Sequence, residues 1–288
     1  MIHQHSPLRA ALAVVASLAA FGAASAAEQK AAMPAAKIDA PLPHRIGAAK
    51  LIIGDVKKTQ TFYETMFGMK EISHYSGKDV YDEPIMGFSA GARLALFSPL
   101  AEPQLKKSQY PVALIYVPQL EPVATKIEGA KYTLRRLPPS QSATFKIAIA
   151  TDPSGNQIEI LERAGQPMEV GGSKLIVDSR EKAENFYAKV FGVQATTRYK
   201  TAAYDEVLMG FGPGAWLALF EPKSEAPLPK SQFPVVAIYT SDFDGVLARI
   251  KEIGLGYRDV KTSSPNGRII IAKDPAGNAV EVIREGSL

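Results

Sequence analysis

Apolar residues recur along this chain in two alternating rhythms. Lys50 to Gly54 reads as a strand, and apolar spacing over Val56 to Gly68 predicts a helix with Phe62, Met66 and Tyr63 inward and Gly68 just past its end. Period-two alternation then predicts strands over Met69–His74, Asp79–Phe88 and Arg93–Phe97. After a Pro-containing loop come a strand at Val112–Val117, a helix at Glu121–Gly129 and three more strands. That is βαβββ twice. Val112–Val117 is apolar on both faces, so the sheet it joins is covered on both sides.

The last two of those strands are joined by Asp152, Pro153, Ser154, Gly155 and Asn156. Pro presets a type I turn, Asp can bond the backbone ahead of it, and Gly supplies the left-handed residue that returns the chain. Alternation after the turn sets Glu159 on the face opposite Ile158 and Ile160. That face is either solvent or a pocket.

The whole pattern then repeats. Residues 62–69 match 186–193, 81–88 match 204–211, 107–111 match 230–234, and 152–160 match 274–282, where Glu281 takes the place of Glu159. The near-constant offset marks a tandem duplication, and each copy is long enough to own a core. The first half spans 46–163 and the second 170–285, with a short polar link between them.

Composition adds a destination and removes several partners. Arg9, the apolar run Ala10–Ala24 and the small residues Ala24, Ser25 and Ala26 form a secretory signal over 1–26, so the mature chain is expected to begin at Ala27. Residues 27–45 read as a disordered tether. A periplasmic protein with no membrane insertion after cleavage, a monomer or homodimer, is the expectation. The sequence has no cysteine, and its net charge of +4 is spread without a basic block, so nucleic acid is not expected as a partner.

The residues Phe62, Tyr63, Phe67 and Gly68 after a first strand, with Asp152, Pro153, Gly155, Asn156 and Glu159 closing the half, resemble the vicinal oxygen chelate superfamily. That superfamily includes glyoxalase I, bleomycin-resistance proteins, extradiol dioxygenases and fosfomycin-resistance enzymes. The resemblance implies an α+β fold of four βαβββ modules in two tandem glyoxalase-like domains, with mixed β-sheets curled into cups around a ligand. It also turns Glu159 and Glu281 inward. Whether each cup forms within one half or between halves is left open.

Metal-using members of the superfamily place a His on the first strand, a His or Glu on the fourth, a His on the fifth, and the terminal Glu. The corresponding positions here are Ala48 and Gly172, Ala95 and Ala218, and Val112 and Val235, so only Glu159 and Glu281 remain. No metal and no other cofactor is therefore expected. Of the four histidines, His74 alone lies in the core region, with no acidic residue at ligand spacing, and it reads as a surface strand histidine. Alternation nominates Val112, Leu114 and Tyr116, with Val235, Ala237 and Tyr239, as cavity lining, joined by Phe97, Phe220 and Trp216. Aromatic faces beside one carboxylate suit a flat or cationic small molecule. Two functions compete: an exported protein binding a small hydrophobic or aromatic molecule without metal, and a metal-independent lyase or isomerase with Glu159 or Glu281 as general base. A metal-dependent glyoxalase or dioxygenase stands third for want of imidazoles. The Tyr81-Asp82-Glu83 repeat, matched at Tyr204, is open between pocket polar groups and strand capping.

Overall fold

The computed structural model describes residues 42–286, except 101–107, 109, 139–145, 213, 224–229, 232 and 263. The expected signal and nearly all of the expected tether lie outside the described residues. In the first half the elements are β1 (His44–Ile52), α1 (Val56–Phe67), β2 (Lys70–Gly77), β3 (Tyr81–Gly87) and β4 (Arg93–Pro99). They are followed by β5 (Ala113–Val117), α2 (Leu120–Gly129), β6 (Leu134–Arg136), β7 (Ile147–Thr151) and β8 (Gln157–Glu162). The second half repeats the order with β9 (Glu169–Ile176), α3 (Arg180–Phe191), β10 (Gln194–Lys200), β11 (Tyr204–Gly210) and β12 (Trp216–Pro222). It closes with β13 (Val236–Thr240), α4 (Phe243–Ile253), β14 (Tyr257–Val260), β15 (Ile269–Lys273) and β16 (Ala279–Arg284).

Local chemistry sets the helix ends. Asp55 caps α1 by accepting from the Lys58 amide at 2.9 Å, and Gly68 ends it at φ 69°, a conformation that costs other residues energy. Phe62, Tyr63, Met66 and Phe67 form its buried face. The first strand is longer than its local pattern implied. His44 and Arg45, placed by sequence in the tether, pair with Thr240 and Tyr239 of β13, and the His44 ring is buried with Nδ1 2.7 Å from the Thr240 hydroxyl. A partner 196 residues away is invisible to local periodicity.

The sixteen strands among the described residues form two eight-stranded mixed sheets, and neither belongs to one half. One runs β14-β15-β16-β13-β1-β4-β3-β2, and the other β10-β11-β12-β9-β5-β8-β7-β6. The first module of each half thus shares a sheet with the second module of the other half. The joints are antiparallel: β1 against β13 and β9 against β5. A single large core, running from Ile46 to Val282, packs one face of both sheets against the helices. Two smaller apolar clusters sit apart from it, one on each sheet: Ala48, Ala95, Ala237 and Ile283, and Tyr116, Leu161 and Trp216.

The Asp-Pro-x-Gly-Asn turns tie the two sheets together. Asp152 Oδ1 accepts from the amides of Ser154 and Asn156 at 2.9 and 2.8 Å, which shapes the turn itself. Its Oδ2 accepts from Tyr63 of α1 at 3.2 Å. Asn156 Nδ2 then donates to the Ile52 carbonyl at 3.0 Å, so a hairpin of one sheet holds the end of β1 in the other. Asn278, Asp274, Tyr187 and Ile176 repeat the arrangement. Asn156→Ala leaves a buried carbonyl and carboxylate short of a donor, and the expected loss is about 2 kcal/mol. Asn278→Ala should cost as much, and the pair should add because the turns share no partner. Urea unfolding measures both, and unchanged midpoints in either single variant would refute the role.

Candidate functional site

On the sheet face away from the main core, alternation along β1 brings Ala48 and Lys50 to the same side. Ala95 of β4 lies opposite Lys50 and pairs in turn with Ile85 of β3, while Ala237 of β13 pairs with both Ala48 and Glu281 of β16. Five adjacent strands from both halves therefore converge on one small area. There the Lys50 Nζ lies 2.8 Å from Glu83 and 2.7 Å from Glu281, with all three side chains nearly buried. The ammonium also sits 5.5 Å from the centre of the Phe97 ring. Tyr81 and Phe233 pack on Phe97 at 5.7 and 5.1 Å.

The other sheet repeats the group. Lys174 Nζ lies 2.9 Å from Glu159 and 2.8 Å from Glu206, and 5.1 Å from the centre of Phe220, which packs on Tyr204 and Tyr110. In each cup the lysine and one glutamate come from one half and the terminal glutamate from the other, so the cups form between halves.

Each cup ends in a tyrosine under a guanidinium. Arg45 stands 4.6 Å over Tyr239 and bonds Glu285, and Arg163 stands 4.2 Å over Tyr116 and bonds Glu169. The two ion pairs are reversed copies, with Arg near the start of the first strand in one cup and following the last strand in the other. The tyrosines lie flat on Gly47 and Gly171, where a Cβ would come within 1.8 and 2.5 Å of the ring.

The electrostatics follow from burial and pairing. Burial alone would lower Lys50, but Glu281 and Glu83 outweigh it and hold its pKa well above the ordinary 10.5; Glu159 and Glu206 do the same for Lys174. Burial pushes Glu83 and Glu206 up, against the pull of their lysines. Burial likewise raises Tyr239 and Tyr204, each to about 12. Both lysines are fixed cations, and burial leaves Glu83 and Glu206 easier to protonate than an ordinary glutamate.

A family model described as Glyoxalase/Bleomycin resistance protein/Dioxygenase superfamily matches residues 45–160 and again 170–282. The chain belongs to this superfamily. Two solved structures of similar fold are glyoxalase I from Zea mays, at 22% identity, and a putative dioxygenase from Bacillus subtilis, at 14%. The first covers 84% of this chain and 92% of its own with a TM-score of 0.69; the second covers 84% and 85% with a TM-score of 0.65. At these identities the likeness is one of fold. No curated protein matches the chain.

The donor set does not fit the divalent ion that metal-using members of the superfamily hold. The two carboxylates of each cup are bridged by an ammonium, and no third His, Cys, Asp or Glu joins them among the described residues. Ala48 and Ala95 sit on the cup floor as the resemblance implied, and Gly172 pairs with Trp216 of β12. Register places Ala237, rather than Val235, beside Glu281 and Ala48, and Leu114, rather than Val112, beside Glu159 and Gly172. Val112 and Val235 pack in the main core and line a small cleft with Ile176, Phe233 and Ala279, away from the glutamates.

Tyr116, Trp216 and Tyr239 are in the small clusters on the cup faces, and Phe97 and Phe220 lie under the lysines. Trp216 replaces Arg93, whose Nη1 donates to the Phe88 carbonyl at 2.7 Å. His74 is exposed on β2, but it does have acidic partners: Glu71 at 3.1 Å and Asp82 across the hairpin, which raise its pKa through their hydrogen bonds. Asp82 thus serves His74, and Asp205 pairs with Lys223 at 3.2 Å, so neither acts as a strand cap. Of the Tyr-Asp-Glu repeats it is the glutamates that enter the cups.

Lys50, Lys174, Glu83 and Glu206 carry these sites; the sequence raised the two glutamates only within the Tyr-Asp-Glu repeats, as one of two open readings, and gave the lysines no role. Lys50 and Lys174 occupy matching positions in otherwise apolar strands of a duplicated sequence, a signal that a search for missing imidazoles passes over. Lys50→Met strands two buried carboxylates and should cost about 3–5 kcal/mol at neutral pH. Adding Glu83→Gln and Glu281→Gln should recover much of it. A folded pKa above the ordinary value means that the lysine's contribution is whole below about 10.5 and is lost as pH rises through the folded value. The gap between wild type and Lys50→Met in urea unfolding should therefore narrow above that pH, and a gap that widens there would exclude the ion pairing.

Proposed function

We propose that this is an exported binding protein that holds a small hydrophobic or aromatic molecule in its cups, without a metal. The observation that supports this most is internal compensation. The aromatic faces that would attract a cationic ligand already carry the chain's own cations, Lys50 on Phe97, Lys174 on Phe220, Arg45 on Tyr239 and Arg163 on Tyr116. What each cup leaves for a ligand is apolar: Ala48, Ala95, Ala237 and Ile85 in one, Leu114, Leu161, Leu208 and Trp216 in the other. Neutral compounds are thus favoured over the cationic ones considered from sequence.

The same geometry favours binding over general-base catalysis. Glu159 and Glu281 each accept a hydrogen bond from an ammonium on one oxygen, at 2.9 and 2.7 Å, so each carboxylate is already committed to a charge partner inside the protein. Export rests on the signal pattern of residues 1–26, and protein recovered from the cell envelope should begin at Ala27.

The neutral dye N-phenyl-1-naphthylamine tests the reading. It should bind saturably, with an affinity that changes less than about twofold across a tenfold range of salt, because no ligand charge is screened. Ala237→Trp, which fills one cup, should remove part of the bound dye. Mass spectrometry of compounds retained from a native extract should find neutral apolar molecules. Failure to bind the dye together with retention of charged compounds alone would overturn the proposal.

A further inference from the structure

The cups keep the carboxylates of a metal site and replace the metal. We infer that Lys50 and Lys174 are fixed internal cations standing where a divalent ion would bind, and that the glutamate pair beneath each lysine is a latent metal site. This rests on the placement of the cups described above, not on what ligand they take.

Three observations carry it. First, the arrangement is duplicated atom for atom in type: each Nζ lies 2.7–2.9 Å from one carboxylate on the strand two removed from its own and one on the terminal strand of the other half. A surface ion pair has no reason to recur on both sheets with the same partners. Second, each lysine lies along one face of its strand with Ala48 or Gly172, the positions that correspond to the family's first metal ligand. It reaches the terminal glutamate that does correspond to a ligand. The ammonium thus fills the ground between those positions, and like charge keeps a second cation out. Third, Glu83 Oε1 and Glu206 Oε1 are buried, and each meets its lysine's ammonium at 2.8 Å, in a geometry short of a well-aligned hydrogen bond. An oxygen so placed is a ready ligand once the ammonium is gone.

Replacing lysine with histidine exchanges the ammonium for an imidazole nitrogen and completes a three-ligand set with the two carboxylates, the minimum that divalent transition metals usually take from protein side chains. The mature protein and its Lys50→His and Lys174→His variants are dialysed against zinc or nickel, and bound metal is counted by elemental analysis. Wild type should retain none in stoichiometric amount. Each single variant should retain about one ion, bound at least about a hundredfold more tightly than by wild type, and the double variant two. Added metal should raise the melting temperature of the variants and leave that of wild type unchanged.

The inference is overturned by a wild type that holds about one ion per cup, or by folded variants that take up no more metal than wild type. It is also overturned if neither single variant folds even with metal present, since the ammonium is then not exchangeable for a metal ion. The count reads metal and not the organic dye, so this inference can fail while apolar binding holds, and the reverse.

Discussion

The amide of Asn156 donating to the carbonyl of Ile52 is a small contact on which much of this architecture depends. It is the point where a half's second module grips its first, although the two modules sit in different sheets. It works beside the shared core and the neighbouring contacts of Ser154 with Gly54 and Thr59, which join the same two modules. The buried Asp152 makes the grip rigid by binding its own turn with one oxygen and α1 with the other. Because a buried carboxylate is tolerated only when its oxygens are bonded, the turn, the helix and the strand end are specified together.

Crossing the modules between sheets has a consequence for chemistry. If each half closed on itself, a cup could lose a ligand-binding group and leave its twin untouched. In the crossed arrangement both cups draw on both halves, and damage to one half reaches both. The ion groups reflect that shared origin, since Lys50 depends on Glu281 and Lys174 on Glu159. The divergence that does exist lies in the lining. Leu114 faces Ala237 across the duplication, Trp216 faces Arg93, and Tyr110 faces Phe233, so the charged centres are alike while the apolar walls are not.

Local signals in the sequence were enough for the helices, most strands and the closing turns, because capping residues, glycines and alternation are short-range physics. The start of β1 at His44 was not legible, since only pairing with Thr240 defines it. The pairing of modules across halves was equally hidden: βαβββ units look the same whichever partner they choose. At the site, alternation left the face of Glu159 and Glu281 open, and it was the family resemblance that turned them inward. Val112 and Val235 precede β5 and β13, and Leu114 and Ala237, two residues on and on the same face, are the positions that pair with the glutamates. His74 looked isolated because its carboxylate partner Asp82 sits across a hairpin. Lys50 was passed over for a different reason, because a lysine in a strand usually means a solvated face, and only the convergence of Glu83, Glu281 and Phe97 from other strands of its sheet shows that it is buried.

A lone ammonium between two carboxylates leaves one negative charge over, and that residue explains the rest of the electrostatics. A divalent ion in the same place would balance both. Burial raises Glu83 and Glu206 against the pull of their lysines, which stay charged. A cup whose ion group is already paired within the protein has little charge free for whatever enters it. Its selectivity then has to come from shape and apolar contact, which is where the two cups differ.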